Sequence, residues 1–275
     1  MRAQAGYRHT YYELGKEFAG LDAHGTAEVA SLGLSWPLVR TQTTRLALGL
    51  SYLYKELEDH QDATGLHNSK HSELLPLTLA FHHRDRQGIT YGSLTYTAGN
   101  LKLDEQLRVI DRISGTDTRG HFDKWNLDLA RLQRTGIAGL TLFGRGAFQW
   151  AGENLDSSES FLPGGARGVR AYPQAEGAGD EGWLVQLEAR YRLNALEPFL
   201  FYDASRVWLN ARDSGIQPPV TDNTRTLAGA GVGVRYNRGP LDISAALAWR
   251  TRGGEPEAET RDRNPRLWAS AVWHF

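Results

Sequence analysis

The sequence predicts an all-β fold, a transmembrane antiparallel β-barrel of about twelve strands, and three observations predict it. Apolar and polar residues alternate with period two in run after run of roughly 9–13 residues, longer than the ~5–6 usual in soluble sheets. Connections between the runs alternate short and long, which puts tight turns on one rim of an up-and-down wall and polar loops on the other. Aromatic residues sit near the ends of the apolar faces, as interfacial girdles do.

The runs follow in order. A weaker strand covers Tyr7–Leu14. Ala30, Leu32, Leu34 and Trp36 then oppose Ser31, Gly33 and Ser35, and Leu46, Leu48, Leu50, Tyr52 and Tyr54 oppose Ala47, Gly49, Ser51 and Lys55. Leu75, Leu77, Leu79 and Phe81 share a face, as do Trp125, Leu127 and Leu129, and then Leu140, Leu142, Phe148 and Trp150. Val185, Leu187, Ala189, Tyr191 and Leu193 alternate with Gln186, Glu188, Arg190 and Arg192. Three more runs close the chain: Ala228 to Tyr236, Leu241 to Trp249, and Leu267 to Phe275. Its closing Trp273-His274-Phe275 is similar to the terminal aromatic signal of outer-membrane proteins. Almost no helical period is legible.

Short connections fall at Pro37–Gln42, Asp85–Gly88, Arg134–Gly136, Asn194–Leu196 and Asn237–Pro240. Long ones fall at Glu58–Ser69, Gly99–Gly120, Ala151–Gly182, Leu209–Arg225 and Thr251–Asn264. Both termini therefore lie on the short-turn side.

Composition narrows the function classes. The chain has 275 residues, 23% charged and 40% hydrophobic, enough for a large core and too apolar for disorder. A net charge of −1 leaves no basic excess for nucleic acid. With no cysteine, disulfides and thiolate metal sites are excluded. No apolar run is long enough for a transmembrane helix, and the opening MRAQAGYRHTYYELG lacks the apolar centre of a signal peptide.

The connection Ala151–Gly182 exceeds the ~12–15 residues beyond which an unstructured loop is usually functional or disordered. Its glycines allow close backbone approach, and they surround Val169-Arg170-Ala171-Tyr172-Pro173. An arginine among such apolar neighbours fits a loop tip tucked into the barrel, where its guanidinium needs a carboxylate. Asp203, Glu188 and Asp128 are the inward candidates. Alternation places Phe199, Phe201 and Asp203 inside, and a carboxylate between two aromatics favours an arginine partner. An Arg170–Asp203 pair is expected.

At these residues the chain resembles the C-terminal barrel of two-partner secretion transporters. These are the TpsB proteins of the haemolysin-activator and filamentous-haemagglutinin-transporter type, relatives of the BamA-like insertases. In that family a VRG[FY] or VRAY loop enters the barrel and its arginine meets the aspartate of an F-x-D-x-G strand. Val169, Arg170, Ala171 and Tyr172 match the first motif, and Phe201, Tyr202 and Asp203 the second. Ala171 and Ser205 stand where many members have glycine. The family barrel has sixteen strands behind a plug helix and two POTRA domains, with this loop after strand eleven. Here it follows the seventh, so residues 1–275 are expected to be the C-terminal part of such a barrel, with the POTRA domains and first strands absent.

The resemblance implies a monomeric pore in the bacterial outer membrane that translocates a large secreted exoprotein, with lipid, lipopolysaccharide and the outer-membrane assembly machinery as further partners. A passive porin or a BamA-like insertion component is the alternative. Inward Gln186, Glu188, Arg190, Arg192, Arg145, Arg235, Arg250 and Asp128, with small Gly229, Gly231, Gly233, Ser244 and Ala246, would line a wet passage. No enzyme is expected, because G-x-S-x-G and H-E-x-x-H are missing. No cofactor or metal is expected either. His82 and His83 point to opposite faces, Gly229-Ala-Gly231-Val-Gly233 lacks nucleotide-loop spacing, and Glu255, Glu257, Glu259 and Asp262 read as a solvated rim.

Overall fold

A computed structural model describes residues 1–13, 23–63 and 65–274 of the chain. Twelve strands form one antiparallel sheet in sequence order. They are β1 (Arg2–Glu13), β2 (Ala23–Arg40), β3 (Thr44–Gln61), β4 (Leu66–Arg84), β5 (Gly88–Leu103), β6 (Gly120–Arg134), β7 (Leu140–Ala151), β8 (Glu181–Tyr191), β9 (Leu196–Trp208), β10 (Thr224–Arg238), β11 (Leu241–Arg252) and β12 (Arg266–Trp273). Every strand pairs with its neighbour in sequence, and among the described residues β1 and β12 each keep one unpaired edge. Arg2 pairs with Ser35 and Trp273 with Leu241, so both ends of the sheet meet the rim of short turns.

Alternation along each strand becomes two physical faces. Leu200 is 62% exposed and Leu187 52%, whereas Asp203 on the opposite face of the same two strands is fully buried. Apolar side chains turned outward and charged ones turned inward suit a wall bathed in lipid. Tyr96, Trp125 and Trp150 are register neighbours in one girdle on β5, β6 and β7. On β8, Trp183 and Tyr191 mark the two ends of the outward face. Their separation is about 26 Å of strand, close to the ~25 Å apolar band of such barrels once tilt is allowed for.

Several boundaries differ from expectation. The strands run from 8 to 19 residues, and β2, β3 and β4 are far longer than predicted. Glu58–Ser69 is a hairpin rather than a long loop, since Glu58 pairs with Ser69, Asp59 with Asn68 and His60 with His67. Gly99–Leu103 likewise belongs to β5. The reason is that these segments stand clear of the apolar band: ladder hydrogen bonds continue there, but neither face needs apolar residues, so alternation fades. β1 starts at Arg2, ahead of the predicted Tyr7, and Leu14 lies outside the described residues, as does Phe275 of the terminal motif.

The loop after β5 holds a helix that periodicity did not reveal, α1 (Glu105–Ser114). Its signals are local. Asp104 caps the first turn by accepting from the Leu107 N–H at 2.8 Å, and Gly115 closes it in the left-handed conformation with φ 71°. Gly115 also lets the helix end approach the β9–β10 loop, where the Gln217 N–H donates to the Ser114 carbonyl at 2.7 Å.

Candidate functional site

Residues 152–180, between β7 and β8, fold back against the inner face of the sheet. The loop touches Lys55 on β3 and Trp268 on β12, so the sheet must wrap around it. Its neck is a bridge between Phe161 and Gly179, with N–H···O distances of 2.7 and 3.1 Å in the two directions. The Val169 N–H then donates to the Pro163 carbonyl at 2.6 Å, closing a tight reversal. Gly168 is required at that point, because a β-carbon there would overlap the Pro163 carbonyl.

The reversal presents Arg170 to β8 and β9. Its Nε donates to Asp203 Oδ2 at 2.8 Å and its Nη2 to Oδ1 at 2.7 Å, a two-pronged pair. The Arg170 backbone N–H adds a third bond to Oδ2 at 3.1 Å. Nη1 reaches Glu188 Oε1 at 2.6 Å. The guanidinium carbon lies 3.7 Å from the centre of the Phe201 ring, so the aromatic supplies a face for the cation while excluding water. Glu188 also accepts from Arg190 at 2.7 Å and Arg235 at 3.0 Å, and Arg235 in turn stacks 4.1 Å from the Phe199 ring centre. Apart from Asp128, the sequence-predicted site residues thus meet at one place: Val169, Ala171 and Tyr172 are buried with Phe199 and Phe201 in a single apolar cluster around the charges, and Pro173 is buried beside them.

Asp128 is not part of this group. It holds Arg145 at 2.9 Å, and Arg145 steadies the loop through the Arg167 carbonyl at 3.1 Å and the Gln186 side chain at 3.2 Å. Where the loop packs on β8–β11, the expected wet passage is filled. Gly231 pairs with Phe201 and Gly233 with Phe199 across the β9–β10 ladder. A β-carbon on either glycine would strike the facing ring, and one on Gly229 would strike Ala171. These glycines are flat seats for aromatic rings and for the loop, not the lining of a water channel. Ala246 belongs to the same packed cluster. Arg192 lies at the short-turn rim with its side chain 74% exposed, and Arg250 pairs with Asp262 at 2.6 Å.

Sequence reasoning missed the charges that hold the two ends of the loop. At one end Glu159, nearly buried, accepts from Lys55 at 2.5 Å and Lys124 at 2.8 Å, while Lys70 reaches Asp156 at 2.9 Å. Burial raises the Asp156 carboxyl, but Lys70 and the donors of Ser158 outweigh it and hold it below its ordinary range. Burial pushes Asp180 up to about 6, against the N–H donors of Ala211 and Leu155. At the other end Glu176 accepts from Arg225 at 2.7 Å and from the backbone N–H groups of Glu257 and Ala258, each at 2.9 Å. The β11–β12 loop is therefore docked onto the folded-in loop through its backbone, while the side chains of Glu255, Glu257 and Asp262 stay exposed, as a solvated rim requires. Tyr172 adds a hydroxyl bond to the Arg252 carbonyl at 2.8 Å. The signal for the first anchor was legible in principle: Lys55, Lys70 and Lys124 all lie on inward positions of their strands, where a cation needs a carboxylate.

Breaking that anchor has an expected outcome. In Glu159→Gln, Lys55 and Lys124 lose their shared carboxylate in a site from which water is largely excluded, a loss on the order of 3 kcal/mol. Limited trypsin digestion of the detergent-solubilised protein should then cleave after Arg167 several-fold faster than in the wild type.

The model of the family described as haemolysin secretion/activation protein ShlB/FhaC/HecB matches residues 1–236. The heme/hemopexin transporter protein HuxB of Haemophilus influenzae is 28% identical over 206 residues, covering 70% of this chain and 35% of its own length. HuxB of strain 86-028NP is 28% identical over 213 residues, covering 72% of this chain and 36% of its own. Among solved structures, CdiB from Acinetobacter baumannii superposes with a TM-score of 0.73 at 16% identity, over 98% of this chain and 47% of that one. CdiB from Escherichia coli gives 0.72 at 17% identity, over 98% and 50%. At these identities the structural likeness is one of fold. The chain spans about 35% of the length of the curated relatives it matches.

Proposed function

The chain belongs to the haemolysin secretion/activation protein family ShlB/FhaC/HecB, outer-membrane β-barrels of the two-partner secretion type, and on that premise we propose that it forms the wall and gate of a pore through which a secreted exoprotein crosses the outer membrane. The observation that carries this reading is the loop anchored by Arg170 on Asp203 and Glu188. A freely open porin channel does not need a segment of this length packed across its interior and held by buried charge pairs at both ends and its middle. A secretion pore does: a loop seated by buried charge pairs shapes the passage along which a polypeptide is threaded, so that secretion depends on its seating. In this reading the outward Leu and Val residues meet lipid, the long-loop rim faces lipopolysaccharide, and the strand edges are brought together by the assembly machinery. The pore acts as a monomer and performs no catalysis.

The direct test is secretion itself. Deleting the gene for the protein that carries this chain should remove a large polypeptide from the culture medium, identified by mass spectrometry of the supernatant, and complementation should restore it. An unchanged supernatant, with the wild-type protein confirmed in the outer membrane before deletion, would overturn the proposal.

A further inference from the structure

Beyond the apolar band, on the long-loop side, β2, β3 and β4 carry three histidines in one row. His24 pairs with His60 and His60 with His67 across the two ladders. Directly paired residues on adjacent strands project the same way, and the imidazoles stack, with ring centres 5.0 Å apart for His24–His60 and 4.1 Å for His60–His67. Glu58, two residues before His60 on the same face, brings a carboxylate to 3.9 Å from His60 Nε2. Asp62 lies 4.0 Å from His24 Nδ1. One ligating atom from each of Glu58, His60 and His67 falls within 4.8 Å of the others.

We propose that Glu58, His60 and His67, with His24 beside them, bind a first-row divalent transition metal ion of the zinc class. Two facts favour an ion over plain ring stacking. The ligating atoms already converge, one each from Glu58, His60 and His67 within 4.8 Å of one another, and the carboxylates face the rings at 3.9 and 4.0 Å without closing a hydrogen bond. The donor set is also selective, since imidazole nitrogen suits Zn²⁺, Cu²⁺ and Ni²⁺, whereas Ca²⁺ and Mg²⁺ require oxygen. Tetrahedral zinc with bonds of about 2.0–2.1 Å needs donors roughly 3.4 Å apart, a closure that side-chain rotation supplies without moving the strands. The consequence is a staple. A metal held jointly by β3 and β4, close to β2, ties the hairpin tip together where no apolar face or lipid supports it.

The experiment uses the detergent-solubilised protein carrying this chain, stripped with chelator and titrated with zinc chloride alone by calorimetry. One zinc ion per chain should bind saturably. His60→Ala and His67→Ala should each weaken binding by roughly tenfold or more, at least the loss typical of removing even an outer supporting group. His82→Ala, at the opposite rim, serves as control and should leave binding unchanged. His60 is half-buried and His67 exposed at a hairpin tip, so the barrel tolerates their loss, and circular dichroism of each variant verifies the fold. Copper-loaded wild type should show at least two nitrogen ligands by electron paramagnetic resonance. Absence of saturable binding, or binding unchanged in the folded His60→Ala/His67→Ala double variant, overturns the proposal.

Discussion

Arg170→Ala is expected to reduce secretion of the exoprotein at least tenfold while the barrel still reaches the outer membrane. The substitution removes three side-chain bonds at once and leaves Asp203, fully buried between aromatic rings, with only the backbone N–H of residue 170. Stripping one partner from a buried pair costs about 3–5 kcal/mol. Glu188 suffers less because Arg190 and Arg235 remain. Arg170→Lys should fall between the two, since one ammonium cannot span both oxygens of Asp203 and reach Glu188, nor stack as a plane over Phe201. Secretion is read by immunoblot of the medium against the amount in the membrane, and loop seating by trypsin cleavage after Arg167. Because the two residues act as a unit, Arg170→Ala/Asp203→Ala should cost much less than the sum of the single variants. Wild-type secretion and trypsin resistance in Arg170→Ala would remove the loop from the mechanism.

The second large effect comes from a single methyl group. A β-carbon at Gly229 overlaps that of Ala171 and lies 3.0 Å from the Trp249 carbonyl, so Gly229→Ala should push the loop off β10. Overpacking of this kind costs about 1–3 kcal/mol, and since 1.4 kcal/mol is tenfold in an equilibrium, secretion should fall several-fold. The exchange can be reversed: Gly229→Ala combined with Ala171→Gly moves the methyl across the contact and should restore most secretion, while Ala171→Gly alone changes little. Failure of the double variant to recover, with both proteins folded, would place the defect in the β10–β11 ladder instead of the loop.

The choice of Ala171 with Gly229 also shows how far a one-dimensional reading reached. Alternation along β8 and β9 sorts Glu188, Phe201 and Asp203 to one face, because side-chain direction in a strand follows from parity alone. The glycines of β10 were sorted to the correct face by the same rule but given the wrong use. Parity says where a residue points and nothing of what stands opposite, and here it is Phe199, Phe201 and Ala171 that stand there. Ser205, another departure from the strand motif, is buried, and its hydroxyl has no hydrogen-bond partner among the described residues.

By itself, then, the sequence determined the fold class, the order and parity of the strands, the inward face, and the pairing of Arg170 with a carboxylate, because each follows from local period or from the cost of burying an unpaired charge. Tertiary structure alone decided the rest: that Glu58–Ser69 is paired, that Lys55, Lys70 and Lys124 grip the loop neck, that Glu176 docks two backbone N–H groups of a distant loop, and that three histidines from three strands stack in one row. Those partners lie far apart in the chain, up to 104 positions for Lys55 and Glu159. Only the register of the ladders, a property of the whole sheet, brings them within a bond length of one another.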